Sequence, residues 1–259
     1  MIRLLDPDLR RRVDALEWAV TAWRRAQGRP AIPRGAYAEL PFGPATDGDP
    51  EWRLRRADLR WIRQVLAGRP GTGGRALRVL DLGAWNGWLS TRLATDGHAV
   101  TGLDLFAGPD ALGARLLMPG RWRAVQADPM DPAMLRERFD VVILDRCLAF
   151  QPDPVAALDA AASVVDPGGA VLVTGIALHR DPDAAGERLA AEREAFRARF
   201  GMDLLLRPTS GVLGRSELPA LDRRGWRRSD HPFLRIANLR TRVDGRRPRN
   251  QVAILEVGA

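Results

Sequence analysis

The stretch that decides the fold reads Val79-Leu80-Asp81-Leu82-Gly83-Ala84-Trp85-Asn86-Gly87-Trp88-Leu89-Ser90. A short apolar strand ends close to an acid here, and a turn with two glycines leads into a helix. Such a turn brings backbone N–H groups and a helix N-terminus up to a ligand. A second apolar run, residues 100–103, ends at Asp104. Because an acid at this point of a doubly wound sheet holds ribose hydroxyls, the pair predicts a site for a nucleoside-type cofactor.

The glycine spacing distinguishes between cofactors. The nicotinamide fingerprint G-x-G-x-x-G is missing, since Gly87 is the next glycine after Gly83. The stretch resembles instead the first motif of class I S-adenosylmethionine (SAM) dependent methyltransferases, acid-x-Gly-x-Gly-x-Gly. Asp81, Gly83 and Gly87 match that motif, and Trp85 stands at its middle glycine. The indole must therefore point away from the cofactor or pack on it.

Three further stretches resemble the same family in the same order. Residues 123–128 resemble its third strand, residues 139–145 its fourth, and residues 164–175 the Pro-Gly-Gly turn into its fifth. With the first motif they cover roughly residues 75–178. The resemblance implies an α/β fold with a Rossmann-like seven-stranded sheet, mostly parallel with an antiparallel last strand. The full-length pattern looks like a group of bacterial small methyltransferases.

The resemblance also implies which residues hold SAM. In the family, the motif glycines approach the methionine part and the first acid meets its ammonium group. The acid after the second strand accepts from the ribose hydroxyls, and the acid after the third accepts from the adenine amino group. Carried onto this chain, the cofactor-binding set is Asp81, Gly83, Ala84, Trp85, Asn86, Gly87, Asp104, Leu105, Asp128, Pro129 and Asp145.

Four residues are candidates for the acceptor side of the site. Asp145 and Arg146 follow the fourth strand, where the family positions the acceptor, and Asp145 could hold the substrate or take its proton. The alternative is an ordinary loop pair between the two. His179, just after the fifth strand, is a candidate general base or a simple cap. Tyr37 is the candidate for closing over the site from the N-terminal segment.

The chain divides into a helical extension, 1–74, and a methyltransferase domain, 75–259, with a cap insertion at about 180–225. Helical patterns over 8–27 and 51–67, and a charged helix over 182–200, predict a lid above the carboxyl ends of the strands, where open α/β sheets bind ligands. Within the methyltransferase domain, the alternating strand and helix pattern predicts helices near 87–95, 110–117, 131–137 and 154–165. The tryptophan-rich N-terminal helices serve either as this cap or as a homodimer contact.

Composition narrows the partners. The formal charge is +8, all 40 basic residues are arginine, and acids are interspersed among them. This pattern favours a coding bias over a nucleic-acid surface. No apolar run reaches the length of a membrane span, and residues 1–6 lack a signal-peptide core. With one cysteine and no zinc spacing, we expect a cytoplasmic protein without a metal.

The sequence thus predicts a SAM-dependent methyltransferase that modifies an O, N or C atom of a small molecule and releases S-adenosylhomocysteine. Two alternatives stay open. Trp85 favours a SAM-fold protein that binds without catalysis. An RNA or protein methyltransferase would require a contiguous arginine face next to the cofactor site and an open rather than capped site. The sequence leaves the acceptor, the methylated atom and the oligomeric state undecided.

Overall fold

The computed structural model describes residues 1–29, 31–69, 76–213, 218–222, 225–241 and 247–258. Within these ranges eight strands form one sheet in the order β1-β4-β3-β2-β5-β6-β8-β7. The strands are β1 (Ile2–Arg3), β2 (Arg78–Leu82), β3 (Ala99–Asp104), β4 (Arg123–Gln126), β5 (Phe139–Asp145), β6 (Val165–Leu178), β7 (Arg227–Asp230) and β8 (Arg249–Glu256). The helices are α1 (Pro7–Ala26), α2 (Pro50–Ala67), α3 (Trp88–Thr95), α4 (Pro154–Ser163), α5 (Pro182–Phe200), α6 (Leu218–Asp222) and α7 (Arg235–Arg240).

The predicted α/β fold is confirmed. Neighbouring strands from β1 to β6 are parallel, and β8 runs antiparallel to β6 and β7. The last strand therefore has the predicted direction, and β7 lies outside it at the sheet edge. The sheet has one strand more than the predicted seven, because the short N-terminal strand pairs with β4 through Ile2 and Val125.

Two predicted helices are 3₁₀ turns in the structure. The segments expected to be helical at 110–117 and 131–137 form short 3₁₀ helices over Leu112–Leu117 and Pro132–Leu135. The other core helices agree with expectation within about a turn. Aspartate caps α1, α2, α4 and α5, each followed by proline at the first helical position, as residues 6–7, 49–50, 153–154 and 181–182 show.

Helices cover both faces of the sheet. On one face α2 and α3 bury Trp61, Ile62 and Trp88 against β2 and β5. On the other face α4 buries Leu158 against a second layer that includes Leu80. Alternate strand residues enter opposite layers, as the two-residue period of a strand requires. Because α2 lies in the sheet's own core, it positions residues directly beside the strand ends.

A third apolar cluster forms the cap. Leu16, Ala19 and Phe196 are buried between α1 and α5, and Phe106 from the loop after β3 packs against them. Trp23 meets the ring of Phe196 edge-on at 5.8 Å. The predicted lid helices over 8–27 and 182–200 therefore pack together next to the loop after β3. The prediction that the helix over 51–67 belongs to the lid is wrong, because its apolar residues, among them Ile62, are buried against a face of the sheet. The division at 74/75 stays a prediction, and that boundary and residues 214–217 and 223–224 of the predicted insertion lie outside the described residues.

Candidate active site

Three buried carboxylates converge at the carboxyl ends of neighbouring strands. Asp81, Asp104 and Asp145 lie on β2, β3 and β5, and each is less than a tenth exposed. The registers pair Asp81 with Gly102 of β3 and with Ile143 of β5. Burial disfavours the charged form of a carboxylate unless a cation or hydrogen-bond donors compensate it. A cation bound at this point would therefore stabilise the ionised forms of these carboxylates.

Asp81 keeps one oxygen without a hydrogen-bond partner. Ser90, on α3, donates to Oδ2 at 2.6 Å, whereas Oδ1 is buried with no partner. Burial raises the pKa of Asp81 to about 7, and the charges of Asp145 and Asp104 add to the rise. Buried polar groups are normally paired, so this oxygen is positioned for a donor that the chain does not supply.

Asp104 organises the glycine loop. Its Oδ2 accepts from the backbone N–H of Trp85 at 2.7 Å, and its Oδ1 from that of Phe106 at 2.8 Å. Burial raises its pKa to about 6, opposed by these backbone hydrogen bonds. A carboxylate offers about four acceptor positions, so two remain for hydroxyl donors. The predicted ribose contact is compatible with this geometry.

Asp145 is held by a cation and a hydroxyl. Arg55, on α2, approaches Oδ2 with 3.2 Å from Nη1, and Thr174 donates to Oδ1 at 2.6 Å. Burial raises its pKa, and the charge of Arg55 opposes the rise. The alternative of a simple pair with its neighbour Arg146 is wrong, because that guanidinium bonds to Asp58 instead, at 3.2 Å.

The structure explains the two motif glycines by packing against protein. Both have left-handed backbones, with φ of +80° at Gly83 and +78° at Gly87. A Cβ at Gly83 would lie 2.9 Å from Cys147 Sγ, and one at Gly87 only 2.2 Å from the ring of Trp122. The predicted approach to a cofactor is therefore not needed to account for either glycine. Cofactor contact at Gly83, Gly87, Ala84 and Asn86 stays a prediction.

Asn86 also carries an unsatisfied donor. Its side chain is fully buried, and its Oδ1 accepts from the Trp88 N–H at 3.1 Å at the start of α3. Its Nδ2 has no partner. An unpaired donor, from Asn86 within the turn, and an unpaired oxygen, from Asp81 on the strand before it, thus belong to the segment that the sequence assigned to a cofactor.

Trp85 stacks on the N-terminal helices. Its indole lies 6.0 Å from the ring of Trp52 with an interplanar angle of 27°. The guanidinium of Arg55 lies 4.9 Å from its ring centroid, and that of Arg24 lies 5.6 Å away. Its backbone is left-handed, with a φ of +49°. The sequence allowed the indole either to point away from the cofactor or to pack on it. The structure shows the indole packed against residues of α1 and α2.

The predicted adenine side is partly occupied by an arginine. Asp128 forms a two-pronged ion pair with Arg207, including a contact of 3.0 Å from Nη1 to Oδ1, and it also accepts from the Met130 N–H. Pro129 is buried and Leu105 half-buried beside it. Adenine recognition by Asp128 would have to share the carboxylate with this guanidinium.

Glu17 joins the cap to the strand end. Its carboxylate accepts from the backbone N–H groups of Ala107 and Gly108 at 2.9–3.1 Å. Burial is the largest influence on its pKa and raises it. No pattern in the sequence distinguishes this glutamate, which is half-buried on α1.

Tyr37 is buried and hydrogen-bonded to another residue of the chain. Its side chain is 2% exposed in the core, and its hydroxyl donates to Asp110 at 3.1 Å. The hydrophobic layer that fixes it includes Leu112. The tyrosine ties the N-terminal segment to the loop after β3, and its predicted substrate contact stays a prediction.

His179 is half-buried one residue beyond β6. Burial lowers its pKa, and the charge of Arg188 adds to the fall. The imidazole is therefore neutral near pH 7 and retains the capacity to accept a proton. Its role as a base remains a prediction.

Sequence reasoning missed the polar residues of α2 and of the C-terminal segment. Arg55 and Asp58 lie on one side of α2, and His231 bonds to Asp58 with 2.9 Å between Nε2 and Oδ1. The sequence offered one indication of these residues. Arg55 and Asp58 lie on the buried face of α2, which also carries tryptophans, and charged side chains are rare on a buried face unless they have partners.

Comparison with known families agrees with this geometry. A family model described as "Methyltransferase domain" matches residues 52–204, which is more than half of the chain. The chain belongs to the class I SAM-dependent methyltransferases. The match begins within α2, so the family portion includes the helix that carries Arg55 and Asp58.

Sequence relatives of this methyltransferase include two named ubiquinone biosynthesis O-methyltransferase. The protein from Pseudomonas aeruginosa (strain LESB58) is 36% identical over 151 residues, which cover 56% of this chain and 58% of that protein. The protein from Aeromonas salmonicida (strain A449) is 33% identical over 140 residues, covering 52% and 55%. The chain thus spans little more than half the length of these relatives.

Two solved structures share the fold of this methyltransferase. A putative methyltransferase from Bacillus halodurans C-125 has a TM-score of 0.54 at 18% identity, covering 78% of this chain and all of that one. The plantazolicin methyltransferase BpumL, in complex with a monoazolic desmethylPZN analog and S-adenosylhomocysteine (SAH), has a TM-score of 0.53 at 13% identity, covering 97% and 99%.

SAM is the family's cofactor, and the site fits it. The cofactor carries a sulfonium and an ammonium charge, and the carboxyl groups of Asp81, Asp104 and Asp145, when ionised, carry the opposite sign. A bound cation would favour their ionised forms and so offset the rise that burial causes in their pKa values. The orphan oxygen of Asp81 is an acceptor for an ammonium group. In the described part of the chain, no helix combines the length and hydropathy of a membrane span, and no three His, Cys, Asp or Glu side chains cluster as metal ligands.

Proposed function

We propose that this protein transfers a methyl group from SAM to an oxygen atom of a small-molecule acceptor. The observation that carries the proposal is the convergence of Asp81, Asp104 and Asp145 in a buried cluster around the glycine loop. The names of the relatives support oxygen as the atom, since both contain "O-methyltransferase". The cap formed by α1 and α5 supports a small acceptor over a polymer lying on an open face.

The chain's residues divide the work of binding. Asp104 accepts from the ribose hydroxyls while its backbone hydrogen bonds hold the glycine loop in place. Asp81 accepts from the ammonium group through its free oxygen, and Ser90 fixes the carboxylate. When bound, SAM supplies an activated methyl group on a sulfonium. Catalysis then rests mainly on holding the acceptor oxygen in line with that methyl group.

Asp145 is placed to take the proton of an acceptor hydroxyl. It is the last residue of β5, burial raises its pKa, and Thr174 and Arg55 fix both of its oxygens. A base with a pKa closer to neutrality transfers protons more effectively at physiological pH. His179 is the second candidate, since its lowered pKa keeps it neutral.

Trideuteromethyl-SAM identifies both the acceptor class and the atom. The purified protein is incubated with catechols, other phenols, carboxylic acids, primary amines and total RNA, each in a separate reaction analysed by mass spectrometry. We expect label on a hydroxyl oxygen of one small-molecule class. Label confined to RNA, or to nitrogen or carbon, would contradict the proposal, and so would calorimetry that detects binding of neither SAM nor SAH.

A further inference from the structure

Three polar side chains from distant parts of the chain meet beside the end of β5. Asp58 and His231 have fully buried side chains, and the side chain of Arg146 is 16% exposed. His231 Nε2 lies 2.9 Å from Asp58 Oδ1, and Arg146 Nη1 donates to Asp58 Oδ2 at 3.2 Å. The carboxylate therefore bridges the histidine and the arginine.

The hydrogen bonds of the imidazole fix its tautomer. The backbone N–H of Phe233 donates to His231 Nδ1 at 3.3 Å, so this nitrogen is an acceptor. In the neutral ring the proton then lies on Nε2, which donates to Asp58. Both ring nitrogens therefore already have hydrogen-bond partners, Asp58 and the Phe233 N–H. In this arrangement His231 orients Asp58 and cannot itself take a proton from the methyl acceptor.

Arg146 is constrained at both its ends. Its backbone has a φ of +57°, and its N–H donates to the Thr174 carbonyl at 3.2 Å. Gly175 leaves room for its side chain, since a Cβ there would lie 2.4 Å from Arg146 Cγ. Asp58 accepts from only one of the guanidinium nitrogens, and a guanidinium has five N–H donors. Donors remain for an anionic oxygen next to Asp145.

We propose that His231 is a positioning residue that acts through Asp58 to hold Arg146 ready for an anionic group of the acceptor, such as a carboxylate. The inference rests on the proposed function, because it assigns a substrate class to the same site. Burying an aspartate, a histidine and an arginine is costly compared with apolar packing of similar volume, so stability alone does not account for the cluster. His231 also lies beyond residues 52–204 of the family match.

The test compares His231→Gln with His231→Leu. The glutamine amide can place an N–H donor near the position of Nε2, whereas leucine keeps the volume without a donor. The first readout needs no methyl acceptor: it is the Arg146 Nη1–H signal in nitrogen-15 spectra recorded at low temperature, assigned by its loss in Arg146→Gln. We expect its hydrogen exchange to be at least about tenfold faster in His231→Leu and in Asp58→Asn, and near wild type in His231→Gln.

The second readout uses 3,4-dihydroxybenzoate and, as its control, catechol without the carboxylate. We expect KM for 3,4-dihydroxybenzoate to rise about tenfold in His231→Leu and to recover in His231→Gln, with the KM for catechol and the Kd for SAM unchanged. Circular dichroism checks that each variant is folded.

Each result decides the inference. Unchanged Arg146 exchange in folded His231→Leu overturns it, and so does a His231→Gln protein that behaves like His231→Leu. Equal KM increases for the two catechols overturn the assigned substrate class. A wild-type protein that methylates neither catechol, although Arg146 exchange responds as expected, contradicts the proposed acceptor while supporting the coupling of His231 to Arg146.

Discussion

Arg55 and Asp145 form a buried ion pair, 3.2 Å from Nη1 to Oδ2, that joins α2 to the end of β5. The same guanidinium lies over the rings of Trp52 and Trp85. One side chain therefore links the N-terminal helix, the glycine loop and the acceptor side of the site. Its loss is expected to disturb both stability and binding.

The first prediction concerns this pair. Arg55→Leu leaves the carboxylate of Asp145 buried without its cation, so the free energy of unfolding should fall by about 3–5 kcal/mol. Urea denaturation measures the loss. The matched control is Arg63→Leu, which removes an exposed pair with Asp96 from the same helix and should cost about 0–1 kcal/mol. Equal losses in the two variants would show that the Arg55 pair is not specially important.

The second prediction concerns pH. Asp104 and Asp81 have pKa values of about 6 and about 7, above the unfolded value of about 3.9. Between about pH 4 and pH 7 the folded protein therefore binds more protons than the unfolded chain. The stability that these two groups contribute is present below about pH 4 and is lost as the pH rises to about 7.

Binding of a cationic ligand should show the opposite trend. SAM affinity should increase between about pH 5 and pH 8 as the two carboxylates ionise, and binding near pH 6 should release protons. Calorimetry in buffers of different ionisation enthalpy measures the release. Asp104→Asn should weaken binding and flatten the profile, with Asp96→Asn as the control. A pH-independent affinity for the wild type would argue against these carboxylates as the cofactor's partners.

The third prediction separates strain from crowding at Gly87. Gly87→Ala and Gly97→Ala both place a Cβ on a left-handed backbone, but only the first meets the ring of Trp122. Gly87→Ala should therefore lower the free energy of unfolding by about 1–3 kcal/mol more than Gly97→Ala. Thermal and urea unfolding give the difference. Equal costs would mean that the loop shifts freely away from Trp122.

The fourth prediction tests the cap. Glu17→Ala leaves the N–H groups of Ala107 and Gly108 without their acceptor, which should cost about 1–3 kcal/mol. Hydrogen exchange should accelerate at residues 105–108. Asp14→Ala, exposed on the same helix, should change neither quantity. Unaltered exchange in Glu17→Ala would show that α1 does not hold this loop.

Much of the site could be predicted because parallel strands end at one edge. Asp81, Asp104 and Asp145 each stand at or near the end of an apolar run, so their convergence follows from the βα alternation. The glycine roles were less predictable. The sequence indicates where a left-handed residue is needed, but the neighbours that crowd Gly83 and Gly87 are Cys147 and Trp122, which are remote in the chain.

Short-range patterns failed where helices are only a turn long. Residues 112–117 and 132–135 form 3₁₀ turns, since few hydrogen bonds in so short a segment offset the cost of starting an α-helix. The sequence also did not indicate that the hydroxyl of Tyr37 would find its partner in Asp110, which lies 73 residues away in the chain.

By itself, the sequence determined the α/β class and the acids at the strand ends, because hydrophobic periodicity and local turn chemistry act over a few residues, and the resemblance of its ordered motifs indicated the family. Only the tertiary structure decided which side chains face those acids. Arg55 meets Asp145 across 90 residues, and His231 meets Asp58 across 173. Such pairings depend on how α2 and the C-terminal segment pack on the sheet. Because the paired groups are buried, removing one partner would leave the other without compensation in the protein interior, at a large cost in stability.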